Sequence, residues 1–523
     1  MKSEVTVDGL LMENAALKAE LSEVKQKLSW LTEQLASSRR KLYGATSEKS
    51  AYDGSFEQMA FLSDSREQII LRDVPPESSP PTKETPRKRG ELSTRLPVHL
   101  PIETVECTLP ESEQKCGICG GALHVIGKEL ARRELKIIPA KAIIVEYVRN
   151  AYACRKCEKT AERVPIVKAQ LPPQVIKGGM CAPETVAHIA VQKCVMGSPL
   201  YRQEQDWQRN GIRVTRQTMA NWLIRCSEDY LEPIYSELHR RLLAHRFLHS
   251  DDTVFQVLRE PGKPAQSDSR MWLYRTGADA KNPIVLYDYQ PDRRQERPRE
   301  FLRGYRGYLM TDAYAAYHNL PEEIVVVGCF AHVRSRFSDA LKCLKEEERP
   351  GALAYTGKQY CDRLFDLERE MKNKTCDERF ALRNELAVPI LDAFHAWLDS
   401  IKPHISTKSK IGSAVIYALN QWKYLQRFLL DGHIEISNNR AERSIKPFVI
   451  NRKNFLFSSS VAGARATAVW HSLSETAKES GLNPFLYLSH VLRSASSADI
   501  RNVPHLLDSL LPHNAPDFCR ALD

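Results

Sequence analysis

Long apolar runs are missing from this chain. No stretch approaches the roughly 18 consecutive apolar residues that a membrane helix requires. The opening Met1-Lys2-Ser3-Glu4 leads into a charged amphipathic stretch and lacks the apolar h-region of a secretory leader. Neither a membrane span nor a cleaved signal is expected. Paired cysteines are scarce as well: of 13, an odd number, only four stand in paired spacing. That fits a reducing cytoplasm with one metal site better than a secreted disulfide framework. An acidic excess is absent too, since 75 Lys and Arg face 65 Asp and Glu for a net charge of +10. A basic balance favours a polyanionic partner, although a solvated surface gives the same count. At 523 residues and 42% hydrophobic content, the chain is too long for one compact domain and apolar enough for real cores. About three or four domains are expected.

From Leu10 to Leu42 the apolar positions alternate by four and three, through Leu17, Leu21, Val24, Leu28, Leu31 and Leu35, with Asn14 and Ser38 in the two polar places. This seam predicts a coiled coil over 8–43 that pairs protomers, against the plainer reading of one amphipathic helix packed on its own chain. The stretch 73–101, with Pro75-Pro76, Pro80-Pro81, Pro86 and Pro97, reads as a disordered linker. A zinc ribbon-like domain follows over 102–170. Its two knuckles, Cys116 and Cys119 then Cys154 and Cys157, supply four thiolates for a closed, structural zinc site. The gap between them is wider than the usual ribbon spacing, and redox dithiols are the other reading.

Over 183–231 the pattern is helical. Pro183 opens one helix, Leu200 to Arg209 makes a second stopped by Asn210-Gly211, and a third begins after Thr215, a good N-cap. Helix, glycine turn, helix is the helix-turn-helix pattern, and Arg213, Arg216, Gln217, Asn221 and Arg225 suit phosphate and base contacts. Three-helix units also serve as plain scaffolding.

A mixed sheet is expected to begin near 240. Phe247–Asp251 reads as a short strand ending on carboxylates, with Val254–Leu258, Met271–Arg275 and Ile284–Tyr287 as further strands. Gly307–Asp312 is another strand ending in Asp, and Ile324–Val327 leads to Cys329 and His332. This gives a core first part over 240–335, a helical insertion over 336–430, a returning segment with the third carboxylate over 431–492, and a C-terminal tail over 493–523. Glu442 follows the capping candidates Ser437, Asn438 and Asn439 and precedes Pro447, which is expected to limit its helix. Ligands gather at strand ends in such sheets. Asp251, Asp312 and Glu442 are therefore candidates to converge on a pair of divalent ions, Mg²⁺ or Mn²⁺, which prefer oxygen donors. Each alone has an ordinary explanation, as a turn cap or a helix-dipole partner.

Several segments together resemble one family, the transposases of the insertion-sequence sixty-six family. Leu42-Tyr43-Gly44 and Ser47-Glu48-Lys49 resemble the element after its coiled coil, and Cys116–Gly121 with Tyr152–Cys157 resemble its zinc domain. Asp251-Asp252-Thr253, Thr311-Asp312-Ala313-Tyr314, Gly328–His332, Asn438–Pro447 and Asn451–Asn454 resemble its catalytic motifs in the same order. Two positions depart: Asp252 stands where the family has Glu, and Ala313 where it has Gly. The resemblance implies a multidomain α+β protein with an RNase H-like α/β catalytic core. Its Asp-Asp-Glu triad of Asp251, Asp312 and Glu442 would use two Mg²⁺ ions to cleave element ends and transfer strands to target DNA. Arg440, Arg443, Lys446, Arg452 and Lys453 are candidates to grip phosphates. Asp252 stands as a neighbour that tunes or mimics the first ligand, and Cys329 and His332 could bind metal, orient the ligands from behind or position the DNA strand. Implied partners are double-stranded DNA, a second copy of the chain and small companion proteins, in a bacterial, nucleoid-associated setting. A catalytically silent DNA-binding regulator and a nuclease without joining activity are the rival readings.

Overall fold

The computed structural model describes residues 142–153, 166–168 and 170–521. The coiled-coil seam, the linker and the four zinc cysteines lie outside the described residues. The chain divides into two compact units, Ser65–Leu171 and the remainder. In the first unit, β1 (Ala151–Ala153) pairs antiparallel with β2 (Ile166–Lys168), with Tyr152 opposite Val167.

The described part of the second unit opens with three helices, α1 (Pro183–Cys194), α2 (Leu200–Arg209) and α3 (Arg216–Cys226). Gly211, at φ +80°, makes the left-handed turn between α2 and α3. The Thr215 side chain then caps α3 by accepting from the Thr218 amide. Met219, Trp222, Leu223 and Cys226 bury one face of α3. That face shares a single core with α4 (Glu232–Leu242) and with Trp272, Tyr274, Trp470 and Leu488. The segment 183–231, set apart above, therefore has no core of its own. Its apolar face packs into that larger core, and the Trp470 indole donates to the Leu223 carbonyl.

The sheet contains β3 (Phe247–Arg259), β4 (Asp268–Thr276), β5 (Val285–Gln290), β6 (Gly307–Met310) and β7 (Ile324–Val327), in the order β5-β4-β3-β6-β7. β5, β4 and β3 form an antiparallel meander, whereas β6 and β7 run parallel to β3 and to each other. Phe247–Asp251 and Val254–Leu258, expected as separate strands, are one thirteen-residue strand. The aspartate pair does not end it because pairing with β4 continues through Gln256. Asp251 is thus not at a strand end, but it lies just past His249, the last β3 residue paired with β6.

An all-helical segment follows: α5 (Phe330–Leu341), α6 (Leu353–Glu370), α7 (Cys376–Leu382), α8 (Val388–Ile401) and α9 (Lys410–Leu425). These helices bury Phe337, Cys361, Phe394 and Val415 in a second core that also takes in Met310 and Val327 from the sheet. The chain returns as α10 (Asn439–Phe455), β8 (Phe457–Ser460), which pairs with the far end of β3, α11 (Val461–Glu479) and α12 (Pro484–Ser497).

Pro447 lies inside α10 and does not end it. A mid-helix proline costs about 3 kcal/mol. Burying Ile445, Phe448 and Val449 against the sheet contributes roughly 1.5–3 kcal/mol each, so packing wins. α11 guards the open edge of β5. Thr476 and Ser472 hydroxyls accept from the Val285 and Tyr287 amides, and Thr476 also donates to the Val285 carbonyl. The stretch 493–521 is no loose tail: Ile500, Leu510, Leu511 and Cys519 are buried in the first core, and Asp508 pairs with Arg241.

Candidate active site

Alternation along β3 sends Asp251 and Asp252 to opposite faces of the sheet. Asp251 falls on the face that carries Phe255 and Val257, which α10 covers with Ala441, Ile445 and Phe448. The same helix presents Glu442 one residue past Ala441. Asp312 follows two residues beyond the end of β6, and its carboxylate is fixed by the Tyr314 amide at 3.0 Å. All three carboxylates line one cleft of about 1200 Å³, together with Asp252, Arg293, His332 and Arg452.

α10 is pinned to β3 at its first turn. Asn438 occupies the N-cap position, yet its side chain does not cap. Its amide instead donates to the Ser250 carbonyl at 2.9 Å, and its oxygen lies 3.1 Å from His249 Nδ1. His249 Nε2 in turn sits 2.8 Å from Glu435. The Asn438 backbone amide donates to Cys329 Sγ at 3.1 Å. Cys329 precedes α5, so β3, α5 and α10 meet at one buried point.

Asp251 and Glu442 are only 4% and 5% exposed. Burial, and after it the charges of Glu442, Asp312 and Asp252, push the Asp251 carboxyl well above the carboxylate range. Glu442 is raised as well, by burial first, with Asp312 adding and His332 opposing. Among the described residues no basic side chain pairs with Asp251. His332 Nε2 lies 3.7 Å from Glu442. Burial alone would lower that imidazole, but Cys329, Glu442 and Asp312 outweigh it and hold it at about 10.

Asp252 is differently placed. Arg293 donates to one of its oxygens at 2.8 and 3.1 Å, and Arg270 to the other at 3.3 Å. Arg293 also stacks on Tyr314, 3.7 Å from the ring centre, and reaches within 3.7 Å of Asp312. Burial raises the Asp252 carboxyl, and the two arginines pull it back. Nothing local marks Arg293, Arg270 or His249 for these roles, and Asn438 reads only as a cap, since their partners lie between 18 and 189 residues away.

Comparison with known proteins decides the family. The family model described as "Transposase IS66 family" matches residues 178–466, more than half of the chain. The chain belongs to the IS66 transposase family. The model for the zinc-finger binding domain of transposase IS66 matches 113–158, which holds all four candidate zinc cysteines. A third, "Transposase C of IS166 homeodomain", matches 30–105. Among curated relatives, the protein named "Uncharacterized protein y4jD" from Sinorhizobium fredii is 32% identical over 80% of this chain and 81% of its own. "Uncharacterized protein y4qI" from the same organism is 29% identical over 94% and 90%. A solved structure, the "Drosophila P element transposase strand transfer complex", covers 56% of this chain and 92% of its own at 11% identity and a TM-score of 0.32, a likeness too slight to bear on the fold. Among the described residues, no helix of this transposase is long and apolar enough to cross a membrane.

The remaining candidate residues of the transposase divide by position. Arg213, Arg216, Gln217, Asn221 and Arg225 are all exposed on or just ahead of α3, opposite its buried face. Gln217 donates to Asn221 at 3.0 Å, and Arg216 lies over the Tyr201 ring. Of the five candidate phosphate-gripping residues on α10, Arg452 lines the cleft, where it donates to the Val254 carbonyl. Arg440 is held by Glu435 at 2.9 Å, and Arg443, Lys446 and Lys453 lie outside the cleft lining.

The raised carboxyls make a stability prediction. A carboxyl whose folded value is raised stabilises the fold below its unfolded value of about 4, and that contribution is lost as pH rises through the folded value. Without bound metal, Asp251 and Glu442 should therefore contribute a loss of melting temperature as pH rises above the ordinary carboxylate range, opposed by buried histidines such as His471 whose values are lowered. Asp251→Asn should flatten that loss and melt a few degrees higher at neutral pH. Thermal melts across pH in a chelator check this; parallel curves for the two proteins would contradict it.

Proposed function

We propose that this transposase cuts and rejoins DNA at a centre formed by Asp251, Asp312 and Glu442. The observation that carries the reading is their convergence in one cleft from three separate elements, with Asp251 buried and unanswered by any basic partner among the described residues. Such a donor set, all carboxylate oxygen, fits hard divalent cations of the Mg²⁺ kind. Two bound ions would activate the attacking water or 3′-hydroxyl and stabilise the leaving oxygen of an in-line displacement. The antiparallel β5-β4-β3 meander beside parallel β6 and β7 supports an RNase H-like core, with α5–α9 as its insertion.

In this reading Asp251 and Glu442 face each other across the β3–α10 contact, and Asp312 closes the set from the β6 end. Asn438, His249 and Cys329 position α10, so that the glutamate is presented by a rigid element. Asp252, tied to Arg270 and Arg293, braces the opposite side of the strand. The exposed face of α3 is offered to the DNA major groove and Arg452 to a phosphate beside the scissile bond. Structural zinc at Cys116, Cys119, Cys154 and Cys157, pairing through 8–43 and companion proteins complete the proposal.

Joining separates this reading from a simple nuclease. Incubated with Mg²⁺, a pre-cleaved element-end duplex and a supercoiled plasmid, the native chain is expected to yield covalently joined product. Hydrolysis without any joined product would favour the nuclease, and binding without either would favour the silent regulator.

A further inference from the structure

Outside the acidic cleft, where the helical insertion meets the core, a second set of ligand-type side chains converges. Asp279 from the β4–β5 connection, Cys376 from the start of α7 and His433 from the loop ahead of α10 bring a carboxylate oxygen, a sulfur and an imidazole nitrogen within 4.8 Å of one another. We propose that these three bind a transition-metal ion, Zn²⁺ foremost, as a staple between insertion, sheet and the loop that leads into α10. One thiolate, one imidazole and one carboxylate are the donors zinc takes, and three protein ligands leave a fourth place for water.

The surroundings are those of a prepared site. His433 Nδ1 is engaged by Asp431 Oδ1 at 2.8 Å, which leaves Nε2 for a metal. A carboxylate behind a ligating histidine fixes its tautomer and strengthens it as a donor. The ring is also held flat against Phe247, with centroids 5.1 Å apart and planes 12° from parallel. Asp431 is steadied by Arg246 at 3.1 Å. Gly432 lets the loop press against α7: any Cβ there would collide with the Cys376 carbonyl oxygen. Cys376 Sγ already stands 3.6 Å from Asp279 Oδ2.

The Arg379 guanidinium already stands at this point. Arg379 donates to Asp279 Oδ2 and to Cys376 Sγ, each at 3.1 Å. It is a poor fit, because its Nε is buried without a hydrogen-bond partner. An arginine on a long stem can leave for solvent when a metal takes over its two acceptors. The site then exchanges an incompletely hydrogen-bonded organic cation for a coordinated metal ion.

Cobalt(II) titration of the full chain tests the assignment, because Co²⁺ bound to thiolate absorbs by charge transfer. Native protein is expected to take up about one equivalent more than Cys376→Ser. The extra component should carry a single-thiolate spectrum, distinct from that of the four cysteines at 116–157. Asp431→Asn should weaken that component roughly 10- to 100-fold, whereas Arg379→Ala should tighten it by removing the competing cation. A gain in affinity cannot come from misfolding. Equal uptake and equal spectra for native and Cys376→Ser, or unchanged or weaker binding by Arg379→Ala, would overturn the proposal.

Discussion

Asp251→Asn is expected to reduce Mg²⁺-dependent cutting of an element-end duplex by roughly three orders of magnitude, the scale on which one preorganised charge-stabilising group acts. Asp252→Asn is expected to retain most of the cutting. The adjacent aspartates look interchangeable in sequence, but strand alternation separates them. Asp251 shares a sheet face with α10 and is coupled to Glu442 and Asp312, whereas Asp252 is bound to Arg293 and Arg270 on the other face. The cost of Asp252→Asn should fall on stability, because two arginines lose their shared partner. Single-turnover cleavage of labelled duplex, measured beside thermal melts, separates the two effects. If Asp252→Asn abolished cutting at full stability while Asp251→Asn did not, the assignment within the doublet would be reversed.

The largest stability effect is expected at Arg383, which is fully buried in the insertion. Its guanidinium makes a two-point pair with Glu368 at 2.7 Å and donates to the Phe428 and Asp431 carbonyls at 3.0 and 2.9 Å. Arg383→Met removes one partner and leaves Glu368, at 15% side-chain exposure, without its cation. Breaking a buried pair in this way costs about 3–5 kcal/mol. Replacing both groups, as Arg383→Met with Glu368→Leu, should recover much of the loss, because no uncompensated charge remains. Chemical denaturation of the three variants checks this. A double variant as unstable as the single would show that the carbonyl contacts, and not the ion pair, dominate.

What could be read from sequence was whatever is encoded locally. The start of α1, the bounds of α2, the Thr215 cap and β7 follow from apolar periodicity and from capping chemistry, both confined to a few neighbouring residues. Non-local pairing was not legible. β3 runs through Asp251 and Asp252 because β4 lies alongside, and no residue within the strand announces it. Pro447 reads as a helix stop until the buried face of α10 is set against it. Asn438 reads as a cap, yet it spends its side chain on a strand 188 residues away. The residues of 493–521 look like a tail because their apolar partners come from elsewhere in the first core, α11 and α12 among them. In the candidate site, residue identity and order pointed to the three carboxylates, while the bracing by Arg293, Arg270, His249 and Asn438 belongs to the tertiary structure alone.

The central claim is that three carboxylates act together through divalent metal. Its most direct test compares the native chain with Glu442→Gln on a labelled element-end duplex, with and without Mg²⁺, following binding and cutting in the same samples. Glu442→Gln keeps the size of the side chain and removes only its charge. The account predicts Mg²⁺-dependent cutting by the native chain and none by the variant at equal DNA binding. Equal cutting by both proteins would contradict it.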